Sequence, residues 1–308
     1  MRSKWKMMSR VMVCVIATAV ISATLGTPGG LGKLSRVSLA QELALWHQGF
    51  EVDTAGWLDS NTPAPDNWYG TVTRVPSGNA GISSSVGSFH AVMQGDGSSA
   101  PFSRFDGYRD SWTGTWIAEI DVYLDPSWAA GTGFDYSVAA SGSDGAHQRD
   151  FIFHVNKDTS TSKLYVAGSN NSNFAPREDL ENINHYEVTT AGWYTLQHVF
   201  YDDGGALAAD LNLLDAGGSV LFTETRLNVA DTIPDEVGGN RYAWFTFINV
   251  GDGIAVDEHQ LLQPSEPIGG TTTASNPVRL FAPLAAMVLA GLVGGAAFVW
   301  RRRASDQH

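Results

Sequence analysis

Cysteine is almost absent from this 308-residue chain: Cys14 stands alone, inside an apolar run near the amino terminus. If that run is removed on export no thiol is left, so no disulfide can brace the exported part and burial must hold it together. Bases are scarce too. Residues 41–262 carry nine Lys and Arg against thirty Asp and Glu, a formal charge of −21. Such a surface repels phosphate backbones and anionic lipid, which excludes nucleic acid as a partner. The acids suit cation binding, or simply keep a secreted surface soluble. The seven histidines ahead of the tail show no His-x-His or His-Glu-x-x-His spacing, and neither a Gly-x-Ser-x-Gly elbow nor a phosphate loop occurs. Transition-metal, serine-hydrolase and nucleotide chemistry therefore lack a foothold.

One long uncharged run is present. Leu280 to Trp300 is 21 residues without a charge and leads into Arg301, Arg302 and Arg303. At about 1.5 Å per residue it spans roughly 31 Å as a helix, enough for a hydrocarbon core of about 30 Å. The arginines keep residues 301–308 cytoplasmic, so everything upstream faces outward. Gly291 and Gly295 form a Gly-x-x-x-Gly pair, a pattern compatible with a weak homodimer through the span and also common without a partner. At the other end Arg2, Lys4, Lys6 and Arg10 precede apolar residues 11–25, the pattern of a secretory signal peptide. Ser38-Leu39-Ala40 is a small-x-small site, placing the signal at 1–40, with a site near Ala23 as the alternative. Residues 263–279, rich in Pro, Gly, Ser and Thr, read as a linker.

Between signal and linker, residues 41–262 show short period-two alternation broken by Gly, Asn, Asp and Ser clusters, with no long helical periodicity. Ala118, Ile120, Val122 and Leu124 share one face, and Glu119, Asp121, Tyr123 and Asp125 the other. Phe134, Tyr136 and Val138 repeat the pattern. Further strands are expected over 150–156, 163–167, 193–201, 207–213, 219–225, 242–250 and 254–261. Asp202-Asp203-Gly204-Gly205 and Ala216-Gly217-Gly218 mark hairpin turns between some of them. So many strands in one segment of this size predict an all-β domain of two facing antiparallel sheets, a jelly-roll β-sandwich, followed by one C-terminal transmembrane helix.

Gly49-Phe50-Glu51 with Gly56-Trp57 near the start, and Ile254-Ala255-Val256-Asp257 at the end, resemble the opening and closing strands of carbohydrate-binding and laminin-G-like (concanavalin A-like) jelly rolls. The resemblance implies that the first and last strands lie side by side. It also implies a structural calcium between them, for which Glu51, Asp53 and Asp257 are the candidate ligands. Solvated edge charges, with Asp53 capping a turn, are the competing reading. Ser265-Glu266-Pro267, the apolar span and the arginines loosely resemble bacterial C-terminal sorting signals, although the span does not follow that tripeptide directly.

Eight tryptophans fall in residues 41–262. An aromatic face covers the C–H surface of a pyranose at small entropic cost. Trp68 with Tyr69, and Trp112 with Trp116, sit in Gly/Pro/Ser-rich surroundings and are the candidate ligand contacts, against core packing as the commoner fate of such rings. Glu119-Ile120-Asp121 resembles the first half of the strand motif of laminarinase-type glycoside hydrolases, which makes Glu119 and Asp121 alternative catalytic candidates. The second glutamate of that motif is missing: Tyr123 and Leu124 stand there, and Asp125 lies roughly 13 Å along the strand from Asp121. The expectation is a surface-anchored, non-catalytic binding or adhesion module for glycan or extracellular polymer. A glycoside hydrolase-like enzyme and a purely structural envelope protein are its alternatives.

Overall fold

A computed structural model describes residues 43–105, 115–142, 146–171, 177–232 and 243–263. The signal peptide, almost all of the linker, the apolar span, the tail, Trp112, Gly291 and Gly295 lie outside the described residues. No helix among the described residues is long and apolar enough to cross a membrane.

Two antiparallel sheets account for nearly all regular structure. In chain order the strands are β1 (Leu43–Gln48), β2 (Trp57–Leu58), β3 (Thr71–Pro76), β4 (Phe89–Gln94), β5 (Ser99–Ser103), β6 (Trp116–Leu124), β7 (Gly133–Ser141) and β8 (His147–Lys157). They continue with β9 (Leu164–Asn170), β10 (His185–Val188), β11 (Gly192–Asp203), β12 (Ala206–Asp215), β13 (Val220–Leu227), β14 (Ala243–Thr246) and β15 (Ile254–Gln263). One sheet runs β13-β12-β11-β6-β15-β4-β3, with β1 also paired to β15. The other runs β10-β9-β8-β7-β14-β5-β2. The first and last strands therefore adjoin, with Leu43 opposite Gln263 and Gln48 opposite His259.

The period-two pattern sets the layers. Ala118, Ile120, Val122 and Leu124 are buried while Glu119, Asp121 and Tyr123 keep partial exposure. The hairpin at Asp202 to Gly205 joins β11 to β12, and that at Ala216 to Gly218 joins β12 to β13. The strand expected over 242–250 is confined to Ala243–Thr246. Phe247, with φ 53°, leaves the extended conformation there, so pairing with β7 and β5 stops. The β7–β8 pair needs glycine at position 133, since a Cβ there would overlap the Val155 carbonyl.

The inner faces meet in an aromatic layer. Trp116, 1% exposed, stacks on Phe200 at 3.6 Å between ring centroids, and Phe151 of the facing sheet meets Phe200 edge-on at 5.2 Å. Buried imidazoles tie the sheets together. His198 Nε2 donates to the Phe151 carbonyl at 3.1 Å, and His259 Nε2 lies 3.2 Å from the Tyr136 hydroxyl. Burial keeps both rings neutral, pulling His198 down to about 3 and His259 well below its usual range.

Because Trp116 fills the centre of this layer, Trp116→Ala is expected to cost about 3–5 kcal/mol of unfolding free energy. Urea unfolding followed by tryptophan fluorescence reads this, and a loss under about 1 kcal/mol would contradict the packing described.

Candidate functional site

Outward-facing side chains of the eight-stranded sheet form hydrogen-bonded rows, because register puts polar residues opposite one another. Thr223 (β13) faces Asn212 (β12), Asn212 faces Gln197 (β11), Gln197 faces Glu119 (β6) and Glu119 faces Gln260 (β15). Thr223 Oγ1 donates to Asn212 Oδ1 at 2.7 Å, and Asn212 Nδ2 donates to Gln197 Oε1 at 2.8 Å. Gln197 Nε2 and Gln260 Nε2 then donate to the two oxygens of Glu119 at 2.6 and 2.7 Å.

The next row holds two carboxylates opposite each other, Asp121 on β6 and Asp257 on β15. The loop after β3 closes over them. Ser85 Oγ donates to Asp121 at 2.5 Å while the Ser85 and Val86 N–H groups donate to Asp257 Oδ2 at 3.0 and 3.2 Å. Thr195 Oγ1 gives Asp121 a second bond at 2.6 Å. A bulge makes this geometry available: pairing between β15 and β6 shifts between Asp257 and Gln260, with Glu258 at φ 46°. Asp257 and Gln260 can then both meet outward-facing residues of β6 while His259 stays in the core. Asp257 is fully buried, and burial pushes its carboxyl up to about 7 against the opposing pull of its main-chain donors.

Glu51, Asp53 and Asp257, expected to share a calcium ion, serve different stretches of backbone. Glu51 Oε1 accepts from Ser88 and Phe89 N–H at 2.8 and 3.0 Å. Asp53 Oδ1 accepts from Ala55 N–H at 2.9 Å and Gln48 Nε2 at 3.2 Å, bonds that hold its carboxyl below the usual range. Among the described residues no group of three or more His, Cys, Asp or Glu side chains is placed to hold a metal ion. As arranged, these three carboxylates do not fit a calcium site.

The aromatic candidates separate. Trp116 is a correction: its ring is sealed against Phe200 and presents no face to a ligand. Trp68 and Tyr69 are different. Trp68, half-buried, packs edge-on against Phe102 at 4.7 Å and against Tyr69 at 5.2 Å, and Tyr69 is 49% exposed. Buried Asp59 pins the loop that carries them, accepting from Asn61 and Thr62 N–H at 2.9 and 3.1 Å and from Val72 N–H at 2.8 Å. Trp68 N–H donates to the Asp59 carbonyl at 2.8 Å, and Ser60 N–H to Gly70 at 3.0 Å. Arg104, 5.5 Å above Phe102, meets Asp66 at 3.3 Å.

Sequence reasoning missed Ser85, Gln197, Asn212, Gln260 and Asp59. The signal for Gln197 and Asn212 was there, as polar residues alternating with apolar ones along β11 and β12. Which strands adjoin was the missing knowledge. No protein-family model and no curated protein matches the chain. Among solved structures, the chain is similar to the CBM2 module of the evolved Dit of Lactobacillus casei BL23 phage J-1, with TM-score 0.40 and 11% identity over 75% of this chain and 99% of that one. It is also similar to a native glycosidic hydrolase, with TM-score 0.30 and 10% identity over 75% of this chain and 99% of that one.

The raised Asp257 carboxyl has a signed consequence. From about pH 4 to about 7 the folded protein retains a proton that the unfolded chain, with a carboxyl near 3.8, has released, so this group lowers stability as pH rises. Asp257→Asn removes that contribution. The melting temperature of wild type minus that of the variant is expected to be larger at about pH 5 than at about pH 8 by scanning calorimetry. An equal difference at both pH values would contradict the buried, proton-retaining carboxyl.

Proposed function

We propose that residues 41–262 form a non-catalytic, jelly-roll binding module for a glycan or other extracellular polymer, exported by the leader and held at the outer face of the cell membrane by residues 280–300. The observation that carries this reading is the Trp68–Tyr69 pair: one ring braced by Phe102, its neighbour half-open to solvent, on a loop pinned at both ends. A rigid exposed ring loses little freedom when a sugar covers it, and the Arg104–Asp66 ion pair stands over Phe102, the ring that braces Trp68. The acidic surface favours a neutral or cationic polymer over a sulfated or phosphorylated one. Binding is favoured over cleavage because Glu119 and Asp121 are engaged as acceptors, Glu119 by two amides and Asp121 by two hydroxyls.

The full chain, held in a sugar-free detergent, is expected to bind members of a glycan array. Tyr69→Ala should weaken binding by about tenfold or more while changing unfolding free energy by no more than about 0.5 kcal/mol. No binding to any glycan, or binding indifferent to Tyr69→Ala, would overturn the proposal.

A further inference from the structure

A concavity lies on the outer face of the eight-stranded sheet, over β3, β4 and the start of β15. Its volume is about 380 Å³, at the lower end of the roughly 300–1,000 Å³ usual for small-molecule sites. The floor is Thr73 and Val75 of β3, His90, Val92 and Gln94 of β4, and Ala255 of β15. Asn79, Ala80 and Ile82, in and just after the short 3-10 turn Asn79–Gly81, wall one side, and Asp252 with Gly253 in the turn before β15 wall another.

The wall is held in place. Ser77 and Ser88 close the loop through Ser77 N–H to the Ser88 carbonyl at 2.8 Å, and Ser84 N–H bonds Ser77 Oγ at 2.9 Å. Trp193 Nε1 donates to the Ser83 carbonyl at 2.7 Å, and Ser85 reaches Asp121 and Asp257 as described.

At the floor His90 has an unmet need. Its side chain is fully buried and Nδ1 lies 3.1 Å from Ser84 Oγ, yet Nε2 has no hydrogen-bond partner. A buried polar nitrogen left alone is costly, and Nε2, sealed beneath the floor, is reached by a ligand hydroxyl only when the side chains over it shift. With the ring neutral, Nε2 is a donor or an acceptor according to its tautomer, and a hydroxyl answers both. The remaining lining defines the rest of the ligand. No Lys or Arg lines the cavity, which disfavours phosphate and carboxylate, and the single carboxylate of Asp252 is too few for a metal ion. No other aromatic ring lines it, so an aryl group has nothing to stack on. Val75, Ile82 and Val92 offer methyl groups to C–H bonds, while Thr73, Asn79, Gln94 and Asp252 are hydroxyl partners.

We propose that this groove is a second binding site, independent of Trp68 and Tyr69, that takes a single neutral sugar ring. The full chain in sugar-free detergent is probed by saturation-transfer NMR with four free sugars: methyl glucoside, methyl galactoside, methyl mannoside and N-acetylglucosamine. At least one should receive transfer with millimolar affinity. Thr73→Trp, on an edge strand that tolerates a large ring, should fill the groove and weaken binding at least about tenfold. Asp252→Ala, in an exposed turn, should weaken it as well, and Tyr69→Ala should leave it unchanged, with thermal melts confirming that each variant folds. Transfer to none of the four sugars, meaning a groove filled by water only, or transfer that survives Thr73→Trp in the Tyr69→Ala background, overturns this site. Loss through Tyr69→Ala instead assigns the sugar to the aromatic loop. Failure of the glycan array alone leaves the groove standing, so the two proposals fail separately.

Discussion

Carboxylates that sit on or under the outer face of the eight-stranded sheet need hydrogen-bond donors, and meeting that need shapes what surrounds them. Glu119 draws Gln197 and Gln260 inward from either side, and Asp121 with Asp257 draws down the loop that carries Ser85. Glu51 fixes the far end of the same loop through Ser88 and Phe89, and glycine suits position 87 because its φ of 68° is one that other residues adopt only with strain. In a chain this acidic, with few bases to pair, main-chain N–H, amide and hydroxyl donors take the role that Lys and Arg play elsewhere.

Beneath that face, cohesion comes from rings and neutral imidazoles. Trp116, Phe200 and Phe151 run from one sheet to the other, and His198 and His259 supply polar contacts without placing charge in the interior. The bulge at Glu258 links the two layers. It lets Asp257 and Gln260 meet Asp121 and Glu119 on the outside while His259 reaches Tyr136 within.

Much of the fold could be read from the sequence, since alternation along a strand is a local property. Ala118 to Leu124 and the hairpins at Asp202 to Gly205 and Ala216 to Gly218 were visible in this way. Strands β1 to β5 and β10 were not: β1 ends before the expected opening at Gly49–Glu51, Thr71–Pro76 carries charge and proline, and Trp57–Leu58 is two residues long. The site was harder still. Trp68 and Trp116 look alike in sequence, both near Gly, Pro or Ser, and only the partner ring distinguishes them: Phe200 seals one while Tyr69 stays open beside the other. Ser85 meets Asp257 across 172 residues, a contact no local pattern can encode.

In the proposed function the acids of the outer face act as structural acceptors, and a polymer is held without being cut. The most direct test is prolonged incubation of the full chain with each polysaccharide it retains, followed by counting reducing ends. No increase is expected for wild type, nor for Glu119→Gln. New reducing ends with wild type that disappear in Glu119→Gln would contradict it.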